Sequence, residues 1–269
     1  MTTYLDNAAT SFPKPEAVYQ TMDRFARSSL ANPGRAGHKM ALAAEHALDD
    51  GRHRLNRFFN GKSTERFVFT LNCTDALNMA FKGVLRAGDH VITTDLEHNS
   101  VSRPLRAMEL AGHISLTRVK ADGGGTASPD DIRNAITPKT RLIAMTHASN
   151  VIGTIQPIAE VGALARERDV LFLIDCAQTA GVVPVDIQAM NIDLLAFPGH
   201  KGLMARPGPG PCMSRRVCKL ARGVKAGPGE IRRAKRSQRT IPIFSKAERR
   251  MSSVLLVFPR EFSGSNRKA

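Results

Sequence analysis

Two hydrophobic periods alternate along residues 1–201, and this alternation constrains the fold more than any other feature of the chain. Five stretches carry apolar residues three and four positions apart, which is typical of amphipathic helices: Lys39–Phe59, Ala76–Arg86, Ser100–Ala111, Pro129–Ala135 and Ile158–Arg168. Short apolar runs of strand length lie between the helical stretches: Phe67–Phe69, Val91–Ile92, Ile114–Val119, Leu142–Met145, Val170–Ile174 and Leu194–Phe197. Strands that alternate with helices over short connections predict an α/β fold.

The predicted architecture is a three-layer, doubly wound and mostly parallel sheet with helices on both faces. Strands buried on both faces read as nearly continuous apolar runs, and Leu171–Ile174 and Leu194–Phe197 do so here. In such sheets ligands bind at the carboxyl ends of the strands, so polar residues at those ends are the first candidates for a site.

The basic residues are concentrated at the end of the chain. The formal net charge is +15, and residues 202–269 contain 17 Lys and Arg against three Glu and no Asp. That segment also lacks a regular apolar face, a composition that favours disorder, although Val254–Phe258 could form one strand. We therefore expect an N-terminal arm at 1–16, a ligand-binding large domain at 17–204 and a disordered basic tail at 205–269.

Other features of the sequence narrow the class of protein. No apolar run reaches 18 residues, and the N-terminal segment has no apolar signal region, so we expect neither a membrane span nor a secretory signal. The four cysteines, Cys73, Cys176, Cys212 and Cys218, show no disulfide-framework or metal-binding spacing. This pattern is typical of a protein of the reducing cytoplasm.

Unusual polar residues follow two neighbouring strands. Asp175 ends the run VLFLID, with Gln178 three residues further on, and His200-Lys201 follows LLAFPG in a turn flanked by glycines. Asp is also a common helix N-cap, and Lys is usually a solvated surface residue. The functional alternative is a buried carboxylate beside an amine that desolvation makes nucleophilic.

Three further strand ends carry polar residues of other kinds. A strand passes into a helix through Asn72-Cys73-Thr74-Asp75, where free N–H groups at a helix N-terminus favour a phosphate. His98 and Asn150 follow two other strands, and each taken alone is more often structural than functional. Together the five positions supply an anion site, an aromatic ring, a carboxylate, an amide and an amine. That set suits pyridoxal 5'-phosphate, which needs a lysine, an acid for its ring nitrogen and a phosphate site.

Seven motifs resemble one family and occur in its order over residues 1–204: YLDNAATSFPKP, NPGRAGHKMA, NCTDALN, DLEHNS, SNVIGT, IDCAQTAG and FPGHKGL. The sequence resembles a class V aminotransferase, in the cysteine desulfurase branch of the fold-type-I pyridoxal-phosphate enzymes. The resemblance implies that L-cysteine is converted to L-alanine and an enzyme persulfide, in a homodimer that passes sulfur to an acceptor protein. A class V aminotransferase or a selenocysteine lyase is the alternative within the family.

The resemblance also implies roles for individual residues. Lys201 would form the Schiff base, and Asp175 would pair with the pyridine nitrogen. His98 would stack on the ring and relay protons, while Gln178 and Asn150 would lie near the ring oxygen. The remaining predicted residues form the phosphate site, and they are Cys73, Thr74, Asp75 and His200.

The expected continuation of the family is not recognisable after Met204. Neither the distant nucleophilic cysteine nor the arginine for the substrate carboxylate is found, and Cys212 and Cys218 lie too close to Lys201 to serve. We therefore expect a C-terminally truncated or frameshifted chain that does not complete the desulfurase cycle.

Three other functions agree less well with the sequence. The basic tail could bind nucleic acid nonspecifically, but it has no interleaved pattern of aromatic residues for base stacking. Gly61-Lys62-Ser63-Thr64 resembles the end of a P-loop, but Asn56 stands where the first glycine is required. His46 and His53 have no nearby carboxylates at ligand spacing, so no metal site is predicted.

Overall fold

The computed structural model describes residues 3–34, 37–206 and 253–257 of the chain. Within these residues there are six α-helices and one short 3₁₀ helix, Thr64–Arg66. The α-helices are α1 (Glu16–Ser28), α2 (Lys39–Phe58), α3 (Cys73–Val84), α4 (Asn99–Leu110), α5 (Pro129–Ala135) and α6 (Ile158–Glu167).

The described strands form one seven-stranded sheet in the order β1-β7-β6-β5-β4-β2-β3. The strands are β1 (Phe67–Thr70), β2 (Asp89–Thr94), β3 (Ile114–Val119), β4 (Thr140–Thr146), β5 (Leu171–Asp175), β6 (Leu194–Pro198) and β7 (Ser253–Val257). The pairs from β3 to β6 are parallel, and β7 runs antiparallel between β1 and β6. The predicted α/β class with a mostly parallel sheet is confirmed.

Local sequence explains where several helices begin. The side chains of His38, Asn72, His98 and Ser128 each accept a hydrogen bond from a backbone N–H in the first turn that follows. Each cap satisfies a donor that the helix itself leaves without a partner. Pro129 is the first residue of α5, where a missing N–H has no consequence.

Side chains that alternate along each strand separate the core into two layers. Leu171 and Leu173 belong to the cluster that packs under α3 and α4, whereas Phe172 and Ile174 belong to the cluster under α5 and α6. All four of these side chains are buried. Helices therefore cover both faces of the sheet, as in the three-layer arrangement predicted from the sequence.

Two elements lie outside the pattern found in the sequence. Helix α1 was not predicted, and none of its residues is buried. Strand β7 was predicted only as an isolated apolar run, and five residues of the expected tail contribute it to the interior of the sheet. The expectation of disorder for the rest of the tail concerns residues that lie almost entirely outside the described part of the chain.

Candidate functional site

The site is built at the carboxyl ends of β5 and β6, which are adjacent parallel strands. Asp175 is the last residue of β5 and is 2% exposed, and Lys201 lies in the turn that follows β6. Burial lowers the pKa of Lys201, and the charges of Asp175 and Cys73 oppose this effect. The predicted amine and carboxylate therefore share one partly desolvated site.

Asp175 keeps one carboxylate oxygen available. Its Oδ1 accepts hydrogen bonds from the backbone N–H of Ala177 at 2.9 Å and from the thiol of Cys73 at 3.7 Å. Oδ2 has no hydrogen-bond donor among the described residues. Burial raises the pKa of Asp175, while the N–H of Ala177 and the charges of His98 and Lys201 lower it. The free oxygen gives the site an acceptor for a cationic N–H donor.

The N-terminus of α3 lies beside this carboxylate. The Asn72 side chain caps the helix, and its Oδ1 accepts from the N–H of Asp75 at 2.7 Å. No described residue accepts from the N–H groups of Cys73 and Thr74, which remain available for an anion. The N–H of Asp75 was also expected to hold a phosphate, but in this structure it is engaged by the cap.

Cys73 is poorly suited to be a nucleophile. Burial raises the pKa of its thiol well above the ordinary value, and the charge of Asp175 adds to this effect. Cys176 is buried next to His147, and burial raises its pKa as well. Because the thiolate is the reactive form of cysteine, neither residue is activated.

His98 and Gln178 have partners that fix their positions. His98 caps α4, and its Nδ1 accepts from the N–H of Ser100 at 3.1 Å, which leaves the ring exposed. Gln178 donates from Nε2 to the backbone carbonyl of Ala8 at 3.2 Å. Asn150 is exposed in the turn after β4, and no hydrogen bond among the described residues joins it to Asp175 or Lys201. Its predicted role near a ring oxygen stays a prediction.

The segment before α1 contributes residues that the sequence analysis did not assign to the site. The His200 backbone carbonyl accepts from the N–H of Ser11 at 3.3 Å and from the ammonium of Lys14. The hydroxyl of Ser11 lies 2.8 Å from the carbonyl oxygen of Lys201, and Thr10 Oγ1 lies 3.0 Å from His200 Nδ1. The motif SFPKP was part of the family resemblance, but its spacing alone does not indicate these contacts.

Glu97 is a second acid that the sequence did not indicate; the residue is half-buried, and its Oε2 atom is fully buried. Its Oε1 accepts from Thr94 Oγ1 at 2.7 Å and from the N–H of Thr146 at 3.0 Å, whereas the buried Oε2 has no partner in the described residues. Burial raises the pKa of Glu97 to about 8, and the charge of Asp175 acts in the same direction. Glu97 is therefore mostly protonated at neutral pH, and it lies close enough to Asp175 for the two carboxyl groups to interact.

Neither a metal-binding cluster nor a membrane-spanning helix is found in the described part of the chain. No cluster of three or more His, Cys, Asp or Glu that could hold a metal ion occurs among the described residues. None of the helices described is both long enough and apolar enough to cross a bilayer.

The fold and site define a three-layer α/β domain that brings a lysine and a carboxylate together at two adjoining strand ends. A family model described as aminotransferase class-V matches residues 3–249. The chain belongs to the class V aminotransferase family, as its sequence motifs predicted.

Relatives and solved structures place the chain near the cysteine desulfurases. It is 38% identical over 208 residues to a probable cysteine desulfurase of Methanothermobacter thermautotrophicus, covering 77% of this chain and 51% of that protein. The apo structure of cysteine desulfurase from Thermococcus onnurineus NA1 matches with a TM-score of 0.70 and 32% identity, covering 75% of this chain and 50% of that one. A structure of SspA in complex with cysteine matches with a TM-score of 0.71 and 32% identity, covering 74% of this chain and 58% of that one. The chain spans about half the length of these desulfurase relatives.

Proposed function

We propose that this chain binds pyridoxal phosphate covalently at Lys201 and that L-cysteine is the amino acid on which the whole protein acts. Family membership supports the cofactor, and the relatives named cysteine desulfurases support the reaction. A structural neighbour solved with cysteine supports the substrate. The homodimer, the sulfur-acceptor protein and a cytoplasmic location belong to the same proposal, and the free thiols of Cys73 and Cys176 are compatible with a reducing compartment.

The residues present fit the cofactor. Asp175 offers Oδ2 to a protonated ring nitrogen, and the N–H groups of Cys73 and Thr74 offer a phosphate site at the positive end of α3. His200 lies next to Lys201 with its Nδ1 held by Thr10. When bound, pyridoxal phosphate supplies an electron sink for the carbanion that forms at the substrate α-carbon.

The protein groups have separate tasks in this proposal. The lowered pKa of Lys201 increases the fraction of neutral amine, which is the nucleophilic form. With the cofactor bound, the carboxylate of Asp175 would stabilise a proton on the ring nitrogen, and His98, which is exposed, would stack on the ring. Gln178 would donate to a ring oxygen, for which its Nε2 would have to leave the carbonyl of Ala8.

The shared, partly desolvated position of Lys201 and Asp175 carries the proposal, and cofactor binding tests it. We expect added pyridoxal phosphate to give a visible absorbance band that borohydride converts into a stable adduct at Lys201. Lys201→Ala should abolish both the band and the adduct, while Lys62→Ala, at an exposed lysine outside the site, should leave them unchanged. Mass spectrometry of the reduced protein checks the position, and a full band in Lys201→Ala would contradict the proposal.

The same preparation distinguishes the substrate alternatives. L-Cysteine should perturb the absorbance band, whereas no persulfide is expected on Cys73 or Cys176, because burial keeps both thiols protonated. Cys212 and Cys218 lie outside the described residues. Release of a keto acid in place of alanine would favour the aminotransferase alternative.

A further inference from the structure

Lys14 is a buried lysine that pairs with no acid in the described part of the chain. It is 7% exposed, and its Nζ donates to Ser11 Oγ at 2.6 Å and to the backbone carbonyl of His200. Burial of an ammonium group is unfavourable and lowers the pKa of Lys14. A cation retained at such a place needs a function that an apolar side chain could not perform.

The two hydrogen-bond partners of Lys14 are the Ser11 hydroxyl and the backbone carbonyl of His200, which immediately precedes Lys201. Ser11 has one hydroxyl proton, and the shortest acceptor for that proton is the carbonyl oxygen of Lys201 at 2.8 Å. The Ser11 oxygen can then accept from Lys14 at 2.6 Å, while Lys14 also donates to the carbonyl of His200. Lys14 therefore holds the carbonyl before Lys201 directly and the carbonyl after it through Ser11.

Close backbone packing also restrains the same turn. A Cβ atom on Gly181 would lie 2.6 Å from the carbonyl carbon of Gly202, so the turn after β5 leaves no space behind the turn after β6. The turn that carries Lys201 is thus held both by the hydrogen bonds of Lys14 and Ser11 and by its packing against Gly181. Within this turn, the Lys201 side chain is the part that remains free to approach Asp175.

We propose that Lys14 is a positioning residue for Lys201, which its ammonium holds through the His200 carbonyl and the Ser11 hydroxyl. This inference rests on the proposed function, in which the Lys201 amine must meet a cofactor aldehyde. A misplacement of about 1 Å in such a group can slow a reaction on the order of 100-fold. The effect belongs to the protein without cofactor as well, because the contacts already exist there.

Two variants of Lys14 test the proposal on the same protein preparation. Lys14→Met keeps the length and apolar stem but loses the donors, and Lys14→Arg keeps a cation with donors. Lys62→Met is the matched control at an exposed lysine. The first readout is the pH dependence of acetic anhydride labelling of Lys201 in the apo protein, measured by mass spectrometry. The second is the rate of adduct formation with pyridoxal phosphate, and thermal unfolding is recorded in parallel.

We expect Lys14→Met to slow adduct formation by on the order of tenfold. The labelling pKa of Lys201 should rise, because an amine released from its turn regains contact with water, while the facing groups Asp175 and Cys73 stay in place. Lys14→Arg should recover most of the rate, and the control should match the unmodified chain. If Lys14→Met fails to fold, Ser11→Ala removes the bridge to the Lys201 carbonyl and should give a smaller change in the same direction.

The proposal fails if Lys14→Met, or Ser11→Ala in its place, keeps both the unmodified rate and the unmodified labelling profile. A lower melting temperature with both readouts unchanged also overturns it, since the role would then be structural alone. If the unmodified chain forms no adduct, the proposed function fails, and the labelling profile of apo Lys201 still decides whether Lys14 positions it.

Discussion

The contribution of Glu97 to the free energy of unfolding depends on pH, because its carboxyl group is buried. In the unfolded chain its carboxyl ionises near its ordinary pKa of 4.5, whereas in the folded protein burial raises the pKa to about 8. Below about pH 4.5 both states are protonated, so the contribution to stability is fully present there. Between pH 4.5 and about pH 8 the carboxyl group is ionised in the unfolded chain but protonated in the folded protein. Over that range the free energy of unfolding falls by about 1.4 kcal/mol per pH unit because of this group.

Glu97→Gln should remove this dependence, because an amide does not ionise. We expect the free energy of unfolding of the variant, relative to the unmodified chain, to increase steadily from pH 5 to pH 8 in urea titrations. Glu45→Gln, at an exposed carboxyl, is the control and should show a constant difference. A constant difference for Glu97→Gln as well would mean that Glu97 is ionised in the folded protein.

Gly181 and Gly88 share a backbone conformation but differ in their surroundings. Their φ angles are +88° and +86°, and a Cβ on Gly88 would meet nothing within 4 Å. Gly88→Ala should therefore lose only the left-handed preference, about 1 kcal/mol or ~3 °C in Tm. Gly181→Ala adds a collision with the backbone of Gly202, so we expect at least about 2 kcal/mol and a lower yield of the Lys201 adduct. If Gly181→Ala and Gly88→Ala changed the Tm and the adduct yield by the same amounts, the turns after β5 and β6 would not be tightly packed against each other.

At the scale of elements, alternating periods were sufficient to predict most of the sheet. The predicted strand Leu142–Met145 lies inside β4, and the helix predicted over Ile158–Arg168 differs from α6 by one residue. Helix α1 was missed because it begins after Pro15 without a side-chain cap and buries no residue. An element whose apolar positions pack on nothing described leaves a weak signal in the sequence.

The candidate site also contains some contacts that the sequence predicts and others that it does not. Asp175 and Lys201 could be predicted to meet, because both follow adjoining parallel strands and such ends converge. The contacts of Ser11 and Lys14 with His200 and Lys201 span 186 to 190 residues, and no local pattern predicts pairing at that separation. The raised pKa of Glu97 likewise depends on burial of its carboxyl group next to Thr146, at the end of β4, which is 49 residues away in sequence.

At the scale of the whole molecule, a strand from the C-terminal segment lies between β1 and β6 and joins β1 to the rest of the sheet. β7 pairs antiparallel with β1 along Phe67–Thr70 and with β6 along Leu194–Pro198. Without it, β1 would have no partner strand among the described residues, and β6 would become an edge next to the turn that carries Lys201. The basic C-terminal segment therefore contributes to the large domain at one place at least.

Proline at the centre of β7 tests this arrangement, because it removes a backbone N–H from an interior strand. We expect Leu255→Pro to raise amide hydrogen exchange in β1 and β6 by at least about tenfold and to lower the yield of the Lys201 adduct. Amides of β2 and β3, which pair with each other at the opposite edge, should exchange as before. Leu255→Val keeps the N–H and is the matched control. Unchanged exchange in β1 would show that this strand does not depend on β7, and an increase spread evenly over all strands would show global destabilisation in place of local loss.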